Sequence, residues 1–266
     1  MSNEIKKTAL NTLIEPVANS AKNITDKPTQ NIGNTLADIW YLVFGSISQA
    51  AEKRKLKYSY ALQEFENELK EKISKIPKDK LIEPDIQIVA PALESAKYCV
   101  EKKELRHLFS NLISSSMNTE YYDFIHPSFP LILKQLSVFD AKLFNIIYNN
   151  NISEFTNLIY NNIDSFILFI HQLSSSLTVL RNWGLITGKS IYIDYQNTDL
   201  MFEPEKLYYS IGKFLFNEDP KLYEKIAKYS DFIKTHYSLR NYSSDNSMHF
   251  INLTPLGCHL GSCCCE

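Results

Sequence analysis

The sequence predicts a mainly α-helical protein: a helical N-terminal region followed by a winged-helix-like α+β domain with a long insertion in its wing. Glycine is scarce, with 7 in 266 residues, while Leu, Ile, Lys, Glu and Asn abound, a usage that favours helices. Apolar residues recur at three- and four-residue steps along much of the chain, the spacing of one helix face. In LSSSLTVLRNWGLITGKSIYIDY, residues 173–195, that spacing runs into Trp183-Gly184-Leu185-Ile186 and then alternates like a strand.

Composition narrows the function classes. With 44% hydrophobic and 22% charged residues and a net charge of −2, the chain is globular in kind and is no sheath for a polyanion. MSNEIKKTALNTLIEPVANSAK lacks the apolar core of an export signal. The expected location is therefore cytoplasmic, or peripheral at the inner face of the cell membrane.

Residues 1–30, with Pro16, Pro28 and many Asn and Thr, read as a mobile N-terminal arm, a short helix and then a loose linker. From Ile32 the apolar residues Leu36, Ile39, Trp40, Val43, Phe44 and Ile47 follow helical steps. A membrane span needs roughly 20 apolar residues, and this window reaches that length only by taking in Asn34, Thr35, Asp38, Ser46, Ser48 and Gln49. A buried or partner-facing helix is favoured, with a membrane-lying helix over 36–50 as its rival. Leu36, Ile39, Trp40, Val43 and Phe44 are thus candidate partner or membrane contacts. The following EKRKLKY adds Lys53, Arg54, Lys55 and Lys57 as candidate anchors for an anionic surface.

Leu62, Phe65, Leu69, Ile73 and Ile76 form one helix stripe that Pro77 ends. An extended connector holding Pro84 then leads to a helix expected to start at or after Pro91, a residue suited to a first helical turn. Leu105, Leu108, Phe109, Leu112 and Ile113 make the buried face of the next helix. In HPSF, residues 126–129, proline punctuates the chain, and Ser137 precedes Asp140 by three residues, a variant of the capping box. A helix should begin at Ser137, separating a helical domain, 31–136, from a second domain, 137–266.

In that second domain the helix from Ser137 is the first of a winged helix, and FILFIHQLSSSLTVLRNWG should supply the next two. Leu173, Leu177 and Leu180 share a face, Gly184 suits a left-handed helix end, and Ile191, Ile193 and Tyr195 alternate as in a strand. MHFINLTPLG has the makings of the returning strand, with Thr254 as cap and Pro255 as first residue of a last helix. The insertion, about 196–247, is far longer than an ordinary wing and carries a helical pattern in Leu222, Ile226, Tyr229 and Ile233. Ser174, Arg181 and Lys189 are the candidate nucleic-acid contacts. Yet between Asp140 and Leu200 only Lys142, Arg181 and Lys189 oppose Asp140, Glu154, Asp164, Asp194 and Asp199. Groove binding depends on neutralising phosphates, so nucleic acid is disfavoured.

Cys99 stands alone and Cys258, Cys263, Cys264 and Cys265 crowd the tail. Adjacent cysteines diverge and make poor tetrahedral ligands, so neither metal nor disulfide framework is expected, and the tail reads as a frayed terminus in a reducing compartment. Neither G-x-x-x-x-G-K-[ST], H-E-x-x-H nor G-x-S-x-G occurs. No catalytic residue, cofactor or enzyme activity is expected. His126, with Glu94 and Arg106 near it in sequence, is the best-placed acid–base candidate, and turn capping is its simpler role.

PDIQIVAPALESAKYCVEKKELRHLFSNLISSSMN, followed by HPSFPLILKQLSVFDAKLFNII, resembles the abortive infection alpha family. The A-P-A-L-E-x-x-x-Y opening, the L-R-x-L-F-x-N-L-I helix, His126-Pro127-Ser128-Phe129 and the later G-L-I and L-T-P-L-G elements occur in order, over about residues 30–257. The resemblance implies bacterial defence against phage, in which an infected cell shuts down before progeny emerge, and it brings no catalytic residues. After Gly257 the cysteine-rich tail departs from the family's apolar helix, so the last helix is expected to be short or missing. The expected mode is contact with a protein partner, phage-encoded partners and a second copy of the chain included. The alternatives are a membrane-acting toxic effector working through 36–50, and a DNA-binding winged-helix regulator.

Overall fold

The computed structural model describes residues 27–44, 52–190, 220–229 and 249–265. It is mainly helical, with one two-stranded antiparallel sheet among the described residues. The chain divides into two compact units, one holding residues up to Ala141 together with His259 onward, the other running from Lys142 to Cys258. The division falls a few residues past the boundary expected at 136/137, and the tail joins the first unit rather than the second.

The first unit opens with α1 (Lys27–Phe44), α2 (Glu52–Ser74), α3 (Ile86–Ala96) and α4 (Lys103–Ser116), then α5 (Phe129–Gln135). Its core is built where α4 meets α2, α3 and α5, and where α3 meets α1 and α5. Phe65, Val89, Ala92, Leu93, Phe109, Leu112, Ile113, Phe129 and Leu133 are all fully buried there. The stripes read from the sequence explain this: Leu105, Leu108, Phe109, Leu112 and Ile113 are all inside, because residues three and four apart share one face. Residues 27–30, read as linker, are instead the first turn of α1.

The expectation that α3 starts at or after Pro91 is corrected. The helix starts at Ile86, where the Asp85 carboxylate accepts the Gln87 amide at 2.8 Å, and Pro91 lies inside it. A proline in a helix interior removes one backbone hydrogen bond, here the one to the Gln87 carbonyl. Gln87 and Pro91 both face solvent, so water can serve that carbonyl. The Asp85 cap outweighs the proline.

The capping box forms as its spacing predicts: the Ser137 amide donates to Asp140 Oδ2 at 2.7 Å and the Asp140 amide to Ser137 Oγ at 3.1 Å. It opens α6 (Val138–Tyr148). Asn150, at φ 48°, ends that helix, with the Asn151 amide reaching back to the Ile146 carbonyl at 3.0 Å, and Asn151 then caps α7 (Ile152–Asn161). The second unit continues with α8 (Phe166–Asn182), β1 (Ile186–Ser190), α9 (Pro220–Ala227) and β2 (His249–Leu253).

The run from Phe166 is one helix of 17 residues rather than two. It holds no glycine or proline, and Ser175 and Thr178 donate their hydroxyls to the carbonyls four residues back instead of breaking the turn. Phe166, Phe169, Ile170, Leu173, Leu177 and Leu180 form its buried face. Tyr229, just past α9, stacks on Phe166 at 5.6 Å and donates its hydroxyl to the Ile163 carbonyl at 2.8 Å. β1 and β2 pair in register from Ile186–Leu253 to Ser190–His249. Ile191, Ile193, Tyr195 and Ile233 lie outside the described residues.

The cysteine tail corrects a further expectation. Instead of fraying, α10 runs from Pro255 to Cys264, and Cys263, Cys264 and Cys265 are buried. Asn111 donates to the Cys264 carbonyl at 2.7 Å and Ser115 to the Cys263 carbonyl at 2.9 Å. These α4 side chains satisfy carbonyls that a helix C-terminus leaves without partners, and the thiols fill space as small apolar groups.

Candidate functional site

The apolar face of α1 lies inside the first unit. Leu36, Ile39, Trp40, Val43 and Phe44 are buried, Trp40 to 3% exposure, and the Trp40 ring meets Phe44 at 4.6 Å and Phe65 at 5.5 Å. Tyr41 and Leu42, turned the other way, face solvent. In this arrangement the buried face could touch a membrane or partner only after leaving its seat. Residues 45–50 of that stretch lie outside the described residues. Lys53, Arg54 and Lys55 stand in the first turn of α2, and Lys57, exposed, is 3.4 Å from Glu101.

His126, Arg106 and Glu94 have separate partners. His126 Nδ1 accepts the Ser128 amide at 3.1 Å and lies 2.7 Å from Ser128 Oγ, and the Phe129 amide donates to the His126 carbonyl at 2.9 Å. An Nδ1 that accepts an amide leaves the ring proton on Nε2. Pro127 and Ser128 thus sit in a turn that the imidazole closes, delivering the buried Phe129 into α5. Glu94 lies 3.9 Å from Lys97.

Arg106 belongs to a different cluster. Its Nε donates to Glu68 Oε1 at 2.8 Å, and a terminal nitrogen reaches the same carboxylate at 2.8 Å and Glu64 at 3.8 Å. His107 Nδ1 is 3.9 Å from Glu68 and Ser110 Oγ donates to it at 3.4 Å. Burial pushes the Glu68 carboxyl up, but hydrogen bonds from His107 and Arg106 and the guanidinium charge outweigh it, so the group sits below its ordinary 4.5. The cluster ties α2 to α4 as a charge-assisted fastening. Glu68 went unread in the sequence because its partner stands 38 residues away.

Four of the five thiols are shielded from the solvent to differing degrees. Burial pushes Cys263 up to about 11 and Cys265 to about 12, and Cys99 to about 11, so each stays protonated near neutrality and attack needs the thiolate. Among the described residues no group of three His, Cys, Asp or Glu could hold a metal ion.

In the second unit the two short motifs lock together. Gly184, at φ 69°, lets the Leu185 amide donate to the Leu180 carbonyl at 2.9 Å and its own amide to Arg181 at 2.8 Å, closing α8. Positive φ is cheap only for glycine. The Thr254 hydroxyl bridges to the Gly184 carbonyl, its amide donates to the Leu185 carbonyl at 3.1 Å, and Thr254 Oγ1 accepts the Gly257 amide at 3.0 Å. A Cβ at Gly257 would fall 1.9 Å from the Leu185 carbonyl oxygen, so no other residue fits. G-L-I and L-T-P-L-G are one structural joint read twice. Of the candidate nucleic-acid contacts, Ser174 and Arg181 are half-buried on α8 and Lys189 stands in β1.

One exposed surface went unread in the sequence. The bridge between Leu81 and Asn118, with the Thr119 amide on the Lys80 carbonyl at 2.9 Å, lays 80–86 beside 117–124. There Tyr122 donates to Asp85 at 3.5 Å, and Ile86, Tyr121, Tyr122 and Phe124 face solvent.

The family model for abortive infection alpha matches residues 57–264. No curated protein and no solved structure matches the chain. The matched stretch takes in the Glu68–Arg106 cluster, the His126 turn and the Gly184–Thr254–Gly257 joint, and it is most of the 266 residues. The chain belongs to the abortive infection alpha family, which places it in abortive-infection defence against phage.

Proposed function

We propose that the protein defends against phage by binding another protein rather than by catalysis. What carries this reading is how the polar and apolar groups of the first unit are used. Glu68, Arg106, His126, Ser137 and Asp140 are engaged in fastening helices and turns, while Ile86, Tyr121, Tyr122 and Phe124 face water. Solvent-facing aromatic side chains are the usual anchors of protein interfaces. Phage challenge of cells expressing the chain should give fewer plaques than empty-vector cells. The pair Tyr122→Ala and Phe124→Ala should abolish that protection while circular dichroism stays unchanged. Equal plaque counts for chain and vector would sink the reading.

The second unit, in this proposal, is a winged-helix-like packing domain. The order of α6, α7, α8 and β1, with β2 returning antiparallel after an intervening α9, supports it. The weak basic balance around Arg181 and Lys189 speaks for protein contact over DNA, and a flat titration against duplex DNA at low salt is expected. The protein would work in the cytoplasm or at the inner face of the membrane.

A membrane-acting reading rests on a separate observation. Ile163–Asn182 is long and apolar enough to cross a membrane by length and composition, with Leu168 73% exposed. The same helix buries Phe166, Phe169, Ile170 and Leu173, as a core helix of a soluble domain does. Leakage from anionic vesicles on adding the chain would favour the membrane, and intact vesicles the protein partner.

A further inference from the structure

The bridge between Leu81 and Asn118, continued by the Ile82 amide on the Met117 carbonyl at 2.9 Å, brings residues 80–86 and 117–124 together where α3 begins and α4 stops. These two stretches carry Glu83, Asp85, Glu120 and Asp123 against Lys80. Lys80 is held by Glu120, and among the described residues no cation pairs with Glu83, Asp85 or Asp123. Glu83 accepts the Thr35 hydroxyl at 3.1 Å, and Asp85 caps α3 and accepts Tyr122. Hydroxyls and an amide carry no net charge, so the surface stays acidic.

Apolar area stands among these charges. Ile86, Tyr122 and Phe124 are 62%, 44% and 43% exposed, and the His259 ring stands 5.3 Å from Phe124. Among the described residues no three acids converge as a metal ion would require, so the carboxylates suit several cationic groups spaced along a segment better than one ion. Exposed aromatic rings seat such groups face-on, while the aliphatic stems of Lys and Arg cover apolar area. The phosphates of nucleic acid or of an anionic membrane would instead meet like charge.

We propose that the surface formed by Ile86, Tyr122 and Phe124 docks a segment of a foreign protein that presents Lys and Arg side chains, with Glu83 and Asp123 pairing their charges. Charge complementarity selects this occupant. A neutral segment would leave Glu83, Asp85 and Asp123 without cations at the interface, and an acidic one would be repelled. The rings supply the apolar anchors that the carboxylates alone lack. The inference rests on the protein-contact reading above and names the chemistry of the partner.

Fluorescence anisotropy of the full chain with labelled octa-arginine, octa-glutamate and a Gly-Ser peptide of the same length tests this. The arginine peptide should bind, more weakly as salt is added, and the other two should not. Glu83→Gln with Asp123→Asn should weaken that binding by about tenfold. Tyr122→Leu with Phe124→Leu keeps apolar bulk but removes the rings, and should weaken it by about threefold. Glu154→Gln with Asp164→Asn removes as much charge from exposed positions of the second unit and should leave it unchanged, with circular dichroism the same for every chain. No binding of the arginine peptide, equal weakening by the two charge-removing pairs, or indifference to the Leu pair would each overturn the proposal. So would binding of the glutamate peptide, or self-association that Tyr122→Ala abolishes, which would assign the surface to a second copy. Anisotropy needs no phage, and the plaque assay names no partner. Peptide binding without protection therefore removes the defence reading and keeps this one. Protection that Tyr122→Ala with Phe124→Ala abolishes, in a chain that ignores the arginine peptide, does the reverse.

Discussion

The two units are held by different means. In the first, a broad interior of Phe65, Phe109, Phe129 and their aliphatic neighbours is formed between five helices and the returning tail. In the second, the described hairpin hangs on a narrow joint in which Gly184, Thr254 and Gly257 satisfy or make room for particular backbone atoms. A wide apolar core spreads its stability over many side chains and tolerates swaps of similar volume. A backbone joint tolerates almost none. Short motifs in this chain are therefore most constrained where the least apolar surface is involved.

That contrast can be broken first at Phe109. Phe109→Ala should cost the first unit about 3–5 kcal/mol through lost burial and a residual cavity, read by denaturant unfolding. Amide exchange should quicken in α2 and α4 while β1 and β2 keep their protection; equal loss in both would show that the units unfold as one. Next comes Gly257→Ala, which places a methyl against the Leu185 carbonyl and should cost about 1–3 kcal/mol, with exchange quickening first at Ile186 and Leu253. Thr254→Val keeps the shape but loses the cap to the Gly257 amide, and should destabilise by about 1 kcal/mol. A Val variant as unstable as the Gly257 variant would mean that the hydroxyl, rather than the space, holds the joint.

The smallest effect is one of pH. The Glu68 carboxyl is held below its ordinary 4.5 in the folded protein, so its ionised form favours folding. That contribution is fully present above 4.5 and fades as pH falls through and below that value. Glu68→Gln should flatten the acid limb of first-unit stability between pH 5 and the depressed folded value, leaving the hairpin's acid response unchanged. An unchanged acid limb would mean that His107 and Arg106 hold the helices without help from that charge.

Local signals in the sequence translate well into the fold. Ser137 and Asp140 close their capping box within one turn, Thr254 and Pro255 start α10, and the Leu105 to Ile113 stripe faces inward. Each depends on atoms only a few residues apart, so their spacing is enough. Pro91 was misleading because a favourable local rule for proline competed with a cap six residues upstream, at Asp85. The run from Phe166 to Asn182 was split in two although no glycine or proline interrupts it, and its hydroxyls bond back along a single helix.

By itself the sequence determined the helical class, the helix stripes, the caps at Ser137 and Thr254, and the family, because these rest on periodicity and on motifs in order. Tertiary structure alone decided that Glu68 meets Arg106, that Asn111 and Ser115 receive the cysteine tail, that Gly257 has no room for a side chain, and that Tyr122 and Phe124 face water. Each of these depends on residues tens of positions apart arriving at one place. Residue identity states what a side chain can bond to, but only the fold decides what stands within reach.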